Sequence, residues 1–286
     1  MKKLFFPFIT GLALVCSVGA TAQEFKEHIT REFPISAAAS GQLAIYNLNG
    51  PIKVEGYAGD KVVVDIDKTI TADDNDRLAI GKSEFRLGFD QHGDSIVVYI
   101  AEPFDTRPHR WENWNGNDRK IDYDFQLSFT VRVPYSLGLK ISTVNRGDIS
   151  VKDVAGTLDV NNVNGPITIK NARGATNART INGDLTVSYL DTPPAISDYY
   201  TLNGTLSVTY PRNMSAICQF KSMNGSFYTD FPDVEILPAQ VTKNQEHHGG
   251  GVTYKLNIAK QIKIGNGGKL FKFETMNGDI YVKKQS

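Results

Sequence analysis

The chain is 286 residues long and carries 31 basic and 31 acidic side chains, with two cysteines. Such a balanced charge argues against nucleic acid or an anionic membrane surface as the partner. Two cysteines are too few for a disulfide-stapled scaffold, so an apolar core and backbone pairing must hold the fold together.

The first 22 residues are predicted to be a secretory signal peptide. Two lysines precede an apolar core at residues 4–18, and the small-x-small sequence ATA at 20–22 supplies a cleavage site. A membrane anchor is the alternative, but the apolar stretch is shorter than the roughly 20 residues that span a bilayer. Lipidation of Cys16 would need a small residue just before it, and Leu14-Val15 supplies none. We expect an exported protein, in the periplasm or at the cell surface, without a transmembrane segment after cleavage.

Cleavage would leave one cysteine and a slightly acidic protein. Loss of Lys2 and Lys3 leaves 29 basic against 31 acidic residues, a net charge of −2. Cys218 then has no disulfide partner, and its apolar neighbours in the sequence AICQF predict a small core residue. A catalytic thiol would need histidine and asparagine or aspartate partners, and no such set is implied nearby.

Alternating apolar residues, which are typical of β-strands, dominate the mature sequence, and helical periodicity is almost absent. They predict N-terminal strands within residues 23–103 and a longer strand at 125–133 that ends at Pro134. A polar segment at 104–123, which contains both tryptophans, separates these two parts. The predicted N-terminal strands lie at residues 43–46, 52–54, 62–66, 85–87 and 96–100.

Residues 124–286 form a repeat block. From residue 147 to residue 183 a glycine recurs every nine residues, and two kinds of corner alternate: Asn-Gly, as at Asn164 and Asn182, and a plainer glycine, as at Gly156 and Gly174. We expect Asn and Gly there because a sharp corner needs positive φ values. After each glycine, two apolar residues are predicted to face inward: Ile149/Val151, Leu158/Val160, Ile167/Ile169, Leu185/Val187 and Leu206/Val208.

Two all-β architectures use such a pattern. In an antiparallel meander, each Asn-Gly would be a hairpin turn. In a β-solenoid, 18 residues make one coil, and like strands stack in parallel about 4.8 Å apart. The 18-residue alternation of corner types favours the solenoid, because stacked coils place like corners on like corners. We therefore predict a single-chain, β-helix-like stack of coils of about 18–21 residues, with the N-terminal strands leading into it or capping it.

The final coils are longer and are interrupted. The step from Gly183 to Gly204 is 21 residues, as is the step to Gly225, and a gap of 53 residues precedes Gly278. This gap predicts a loop insertion at 232–251. The sequence contains no linker between domains, so residues 23–286 are predicted to form one domain after the signal peptide at 1–22.

Three parts of the sequence resemble a known bacterial domain family, the "putative adhesin" family. They are NLNGPIKV at 47–54, VRVP at 131–134 and the repeat block that follows, and the resemblance covers most of residues 40–283. It implies an envelope-associated, β-solenoid-like protein. The family has no defined catalytic residues, so the resemblance implies no catalytic, cofactor or metal site.

The segment at 104–123 contains the best candidates for ligand or partner binding: Trp111, Trp114, Arg110 and Arg119. Exposed tryptophans stack on sugars or anchor protein partners, and arginines beside them provide directional donors. The alternative is that the two rings cap one end of the solenoid, shielding its core and its open strand edge. We favour capping, because solenoids need such caps.

Three other motifs have simpler structural interpretations. Arg146-Gly147-Asp148 spells an integrin-type tripeptide, but its glycine occupies a corner of the repeat. An aspartate follows the corner glycine at 148, 184 and 279 but not in every turn, so a calcium-binding ladder would be broken. His247-His248 alone does not complete a transition-metal site. An outward column of hydroxyl residues is predicted to be ordinary solvated surface: Ser150, Thr168, Thr186 and Ser207.

The acidic and basic residues of the repeat block do not converge, and no Ser-His-Asp, metal-helix or phosphate-loop pattern appears. We therefore predict a non-catalytic protein without a cofactor or metal, adhesin-like, that binds an unknown protein or glycan at the cell envelope or surface. The alternative is a periplasmic structural or stress-related envelope component that binds a peptide or protein at an open sheet edge. A carbohydrate-active enzyme is disfavoured because no pair of acids stands out.

Overall fold

The structure, a computed structural model, describes residues 23–108, 120–248 and 251–286, with side chains outside 240–258. Strands predominate in this part of the chain, so the predicted all-β class is confirmed. The elements are β1 (Gln23–Pro34), β2 (Gln42–Tyr46), β3 (Ile52–Tyr57), β4 (Lys61–Ala72), α1 (Asn75–Glu84), β5 (Arg86–His92), β6 (Ser95–Glu102), β7 (Asp124–Pro134), β8 (Gly138–Ser142), β9 (Ile149–Lys152), β10 (Leu158–Asn161), β11 (Ile167–Ala172), β12 (Thr176–Asn182), β13 (Leu185–Tyr189), β14 (Ser197–Asn203), β15 (Leu206–Tyr210), β16 (Ala216–Asn224), β17 (Phe227–Thr229), β18 (Val234–His248), β19 (Gly251–Ile264), β20 (Lys269–Asn277) and β21 (Ile280–Lys284).

The strands form two large mixed sheets that enclose an apolar core. Sheet 1 has ten strands in the order β1-β4-β7-β3-β9-β11-β13-β15-β21-β17. Sheet 2 has eleven, in the order β18-β19-β16-β20-β14-β12-β10-β8-β2-β6-β5. In the repeat block the chain passes from a strand of sheet 2 to one of sheet 1 and back, and from here on we call each such pair of strands a coil.

Strands of neighbouring coils pair in parallel and in register. In sheet 1, Ile149 pairs with Ile167 and Ile167 with Leu185, and the same column continues through Leu206 to Ile280. These residues are buried, as are all the other residues predicted to face inward. An antiparallel meander would pair these strands in opposite directions, so that alternative is wrong.

The coils do not stack in chain order at either end. The last coil, β20–β21, lies between the coils β14–β15 and β16–β17. At the opposite end, β2 and β3 lie between β6–β7 and β8–β9. The N-terminal strands β1 to β6 therefore occupy one end of the two sheets, where β1 and β5 are the edge strands and β2 and β3 join the stack, which agrees with the prediction that they lead into it or cap it.

Two segments differ from their predicted structure. Residues 232–251, predicted as a loop, contain β18, which pairs antiparallel with β19 over most of its length. Helix α1 was not predicted, because Gly81 is its one buried residue and the helix has no apolar periodicity. Its first turn is capped by Asp74, whose carboxylate accepts the backbone N–H of Arg77 at 2.8 Å. The glycine lets α1 approach β4, since a Cβ at Gly81 would lie 2.9 Å from a methyl of Ile70.

The corner glycines are required by close stacking more than by backbone conformation. Gly147, Gly165 and Gly183 do not have positive φ, whereas Gly50, Gly204 and Gly278 do, so the predicted reason for glycine holds at only some of the corners. Instead, a Cβ at Gly183 would overlap the backbone carbonyl of Gly165, and one at Gly165 would overlap that of Gly147. The buried hydroxyl of Thr180 donates to the carbonyl oxygen of Gly165 at 2.9 Å, which satisfies a group that the corner takes out of water.

The asparagines at the corners form a ladder of side-chain amides along the stack. Each amide nitrogen donates to the amide oxygen of the next coil, at 2.7 to 2.9 Å. The ladder runs through neighbouring coils rather than through consecutive ones in the sequence. It therefore links the inserted last coil to its neighbours on both sides. Its members are Asn145, Asn164, Asn182, Asn203, Asn277 and Asn224.

A cluster of tyrosines fills the core between the longer coils. The hydroxyl oxygens of Tyr189 and Tyr199 are 2.6 Å apart, and the hydroxyl of Tyr210 donates to that of Tyr199 at 3.1 Å. The Tyr210 ring stacks on Phe271 with ring centroids 5.3 Å apart, and Tyr199 stacks on Phe273 at 5.1 Å. Burial raises the pKa of Tyr189 to about 12 and holds the pKa values of Tyr199 and Tyr210 well above the ordinary value.

Candidate functional site

A step between the two sheets forms a cleft at one end of the stack. Sheet 1 ends at β17, whereas sheet 2 continues through β19 and β18. The cleft between them has a volume of about 840 Å³. Phe220 and Phe227 form its floor, with their rings stacked 3.9 Å apart at an interplanar angle of 6°. The described lining residues include several apolar side chains, so this cleft is suited to burying apolar groups.

Ile236 shows how incomplete this end of the core is. It pairs across β18 and β19 with Ile262 and therefore points to the same face of sheet 2. Ile262 is 4 % exposed because sheet 1 lies opposite it, whereas Ile236 is 84 % exposed because sheet 1 has already ended. An isoleucine on the inner face of a sheet, with no opposing layer, marks a surface that another β-strand could cover.

A second feature is a row of apolar residues that are half-buried or exposed, which we call the corner stripe. Each coil places one apolar residue just before the asparagine of its corner, and the parallel register aligns these residues along the stack. At the β12 to β16 end of the stripe the exposed fractions are 36 % for Ile181, 41 % for Met276 and 68 % for Met223. Seven rows at strand spacing extend over roughly 30 Å. The corner stripe contains Leu48, Val144, Val163, Ile181, Leu202, Met276 and Met223.

The predicted binding residues Trp111, Trp114, Arg110 and Arg119 lie outside the described residues. The start of their segment is described and is held on both β2 and β6. The backbone N–H of Ile100 in β6 donates to the hydroxyl oxygen of Thr106 at 3.0 Å. The Thr106 hydroxyl donates to the carbonyl of Tyr46 at 2.8 Å.

Arg107 contributes to the same attachment. Its guanidinium forms ion pairs with Asp105 at 2.7 Å and Asp90 at 3.0 Å, and it lies 4.1 Å from the ring centroid of Tyr99. The hydrogen bond with Asp105 raises the pKa of Arg107, so this charge is permanent. The beginning of the tryptophan segment is thus fixed by polar contacts that the sequence did not reveal.

The two interpretations of the tryptophans predict different results for Trp111→Ala and Trp114→Ala. If the rings cap the sheets, each variant should lower the thermal midpoint by several degrees, because about 2 kcal/mol of apolar packing is lost. If they bind sugars, the midpoint should stay unchanged while binding on a glycan array is lost. Thermal unfolding and the array, each compared with the parent protein, distinguish the two outcomes. A variant that changes neither would contradict both interpretations.

The tripeptide Arg146-Gly147-Asp148 forms a corner, as predicted. Arg146 has a φ of 57° and its guanidinium pairs with Asp124. A Cβ at Gly147 would overlap the backbone of Gly50, so the glycine is required by the neighbouring coil.

Two of the aspartates that follow corner glycines also have structural partners. Asp184 and Asp279 each accept a backbone N–H of an adjacent coil at 2.8 Å. Within the described residues, no group of three or more His, Cys, Asp or Glu side chains is arranged to hold a metal ion. His247 and His248 lie on β18, and their side chains are outside the described part.

The outward hydroxyl column is continuous in the parallel register, from Ser150 through Thr168 and Thr186 to Ser207. At the cleft end it continues into Tyr281 and Tyr228, whose rings stack 5.0 Å apart. Sequence periodicity aligned the hydroxyl residues correctly but missed the tyrosines, because the last coil is inserted out of order.

Cys218 is fully buried in the core, which confirms the predicted structural role. Burial raises the pKa of its thiol to about 12, so the thiolate needed for nucleophilic chemistry is scarce at neutral pH. In the described residues, no helix is both long and apolar enough to cross a membrane.

No family model matches this chain, and no curated protein matches it at a significant level. Among solved structures, a "putative cell adhesion protein" from Clostridium sporogenes is 9% identical, with a TM-score of 0.45 over 91% of this chain and 100% of that one. A "putative adhesin" from Bacteroides fragilis is 10% identical, with a TM-score of 0.37 over 91% of this chain and 97% of that one. A "Putative lipid binding protein" from Parabacteroides distasonis is 10% identical, with a TM-score of 0.21 over the same shares. Likeness at this level does not extend to function.

Proposed function

We propose that the mature protein is a non-catalytic, exported β-solenoid that acts through its surface, as an adhesin-like or cell-envelope interaction protein of the family that its sequence resembles. The parallel, in-register pairing of like strands and the stacked corners support the solenoid. A stack of this kind holds surface residues of successive coils in straight, rigid rows, which suits recognition of an extended partner.

The corner stripe is the observation that carries this proposal. Isolated exposed apolar residues are ordinary, but a continuous row with Met223 at 68 % and Met276 at 41 % exposure is not. The asparagine ladder runs directly beside it and satisfies its own hydrogen bonds. An apolar strip with a polar border is the usual anatomy of a protein-binding surface, and methionine adapts to varied apolar partners. We therefore propose a protein partner for the stripe.

Replacing both methionines tests the role of the stripe. The double variant Met223→Lys, Met276→Lys should reduce binding of the labelled mature chain to intact bacterial and epithelial cells by about tenfold or more, because two apolar contacts are lost. A matched control, Thr168→Lys with Thr186→Lys on the outward face of sheet 1, should bind like the parent. Equal binding by the parent and the methionine variant would contradict a role of the corner stripe in binding.

The free edge of β17 favours a second candidate, a periplasmic envelope component that binds a peptide or protein by strand addition. The two candidates differ in where the protein is found. External protease added to intact cells should cleave a surface adhesin, whereas a periplasmic component should resist until the outer envelope is opened. Recovery only from the cytoplasm would contradict both.

A further inference from the structure

We infer that two copies of this chain join end to end at the cleft, each adding its β18 to the free edge of β17 of the other. This inference goes beyond the proposed function, because it assigns the cleft to self-association. Sheet 2 extends two strands past the last strand of sheet 1, an overhang of about 10 Å at ordinary strand spacing.

Among the strands that the structure describes, both sheets present an unpaired edge at this end. In sheet 1 the backbone N–H of Ile280 donates to the carbonyl of Ser226 at 2.9 Å. The backbone carbonyl of Ser226 therefore points toward β21. The backbone N–H and C=O groups of successive residues point to alternate sides of a strand. Those of Phe227 and Thr229 therefore point away from β21. In sheet 2 the outer edge belongs to β18. Each copy therefore offers one short free edge and one overhanging free edge.

The strand directions make these two edges compatible. β18 and β16 are both antiparallel to β19, so they run the same way. The corner at Asn224 and Gly225 carries the chain from β16 in sheet 2 to β17 in sheet 1 and reverses it, so β17 runs opposite to β18. A twofold axis parallel to the strands keeps strand directions and exchanges the positions of the sheets. It would place β18 of the second copy antiparallel beside β17, and it would form the same contact twice.

The side chains at the step suit such a joint. Ile236, 84 % exposed on the inner face of the overhang, would be covered by the end of the other copy, as would the open side of Phe227. Lys260 lies opposite Phe220 in the β16–β19 register and is exposed, so its charge can remain in solvent at the rim.

A second copy of the chain would pair with both free edges, whereas a peptide would pair with only one. A single added peptide would pair with β17 but would leave the edge of β18 open, and exposed edges of this length favour association. A second copy closes both edges with one symmetric contact and matches the overhang of one sheet to the shortfall of the other. The joint is closed, so it yields a dimer and not a filament.

The test is the oligomeric state of the mature chain, measured by sedimentation velocity over a range of concentrations. The parent should be a dimer, and Ile236→Lys should raise its dissociation constant by at least about a hundredfold, since the twofold axis places the lysine in the joint twice. The control Ile196→Lys changes an isoleucine that is 61 % exposed in the loop between β13 and β14, and it should leave the dimer unchanged. Thr229→Pro, which removes an outward amide from β17, should weaken the dimer independently.

Hydrogen exchange gives a second readout on the same samples. The amides of Phe227 and Thr229 should be protected in the parent and should exchange quickly in Ile236→Lys, while circular dichroism stays the same. A monomeric parent at high concentration would overturn the inference, as would a dimer that Ile236→Lys and Thr229→Pro both leave intact. Because these measurements need no external ligand, their failure is separate from failure of the adhesion experiments.

Discussion

Gly183→Ala is expected to lower the free energy of unfolding by about 3 kcal/mol, the upper part of the range for overpacking a rigid interior. The added Cβ would overlap the backbone carbonyl of Gly165 in the next coil. A backbone carbonyl cannot swing aside as a side chain can, so two coils would have to separate at the corner. Their hydrogen bonds would weaken together, because each coil of a stack is held by its neighbours.

Urea unfolding of Gly183→Ala beside the parent measures this effect. Gly138→Ala is the matched control, because a Cβ there would lie 3.2 Å from the hydroxyl of Thr157 and 3.3 Å from the carbonyl of Gly41. The control should lose less than about 1 kcal/mol. Equal losses in the two variants would show that close stacking is not the reason for glycine at the corner.

Stability is expected to fall steeply at alkaline pH, and the tyrosine cluster is the main cause. In the folded protein, burial raises the pKa of Tyr189 to about 12 and holds those of Tyr199 and Tyr210 well above 10.0, their ordinary value. Above pH 10 the unfolded chain therefore loses protons that the folded protein retains, which favours unfolding. The contribution of the three tyrosines to stability is complete below pH 10 and decreases as the pH rises through the window between their unfolded and folded pKa values. Each group contributes about 1.4 kcal/mol per pH unit, so three tyrosines approach about 4 kcal/mol per unit.

Urea midpoints measured between pH 8 and pH 11 test this expectation. The thiol of Cys218, whose pKa burial raises from 9.0 to about 12, should begin the decline near pH 9. Tyr210→Phe should reduce the slope of stability against pH by the contribution of about one proton. Tyr135→Phe, at a ring that is 48 % exposed, should leave the slope as it is. A flat profile up to pH 11 would mean that the buried hydroxyls ionise without unfolding the protein.

Several parts of the fold followed directly from the sequence. The inward pairs, the strand boundaries near Pro134 and the corner role of Arg146-Gly147-Asp148 were all correct, because each repeats a local pattern that every coil must satisfy. The Asn-Gly corners were located correctly but explained incompletely. Their asparagines bond to neighbouring coils, and a contact between coils is invisible within one copy of the motif.

The candidate site was less predictable. The two tryptophans led to a predicted binding segment at residues 104–123. The cleft instead lies at β17 and β18, and β18 belongs to the segment that was predicted to be a loop. An apolar residue precedes each corner asparagine in the sequence. Its exposure at Met223 and Met276 depends on side-chain direction at the corner, which the alternation within strands does not describe.

The sequence by itself determined the all-β class, the coil lengths and the residues that face inward. Each coil buries every second residue of its strands and has a glycine at its corner, so these features can be recognised within a single repeat. The tertiary structure alone decided the order of the coils, the antiparallel pairing of β18 with β19 and the step that opens the cleft. Parallel strands of similar sequence can pair with any like neighbour, so the insertion of β20 and β21 between earlier coils depends on how the long connection returns the chain.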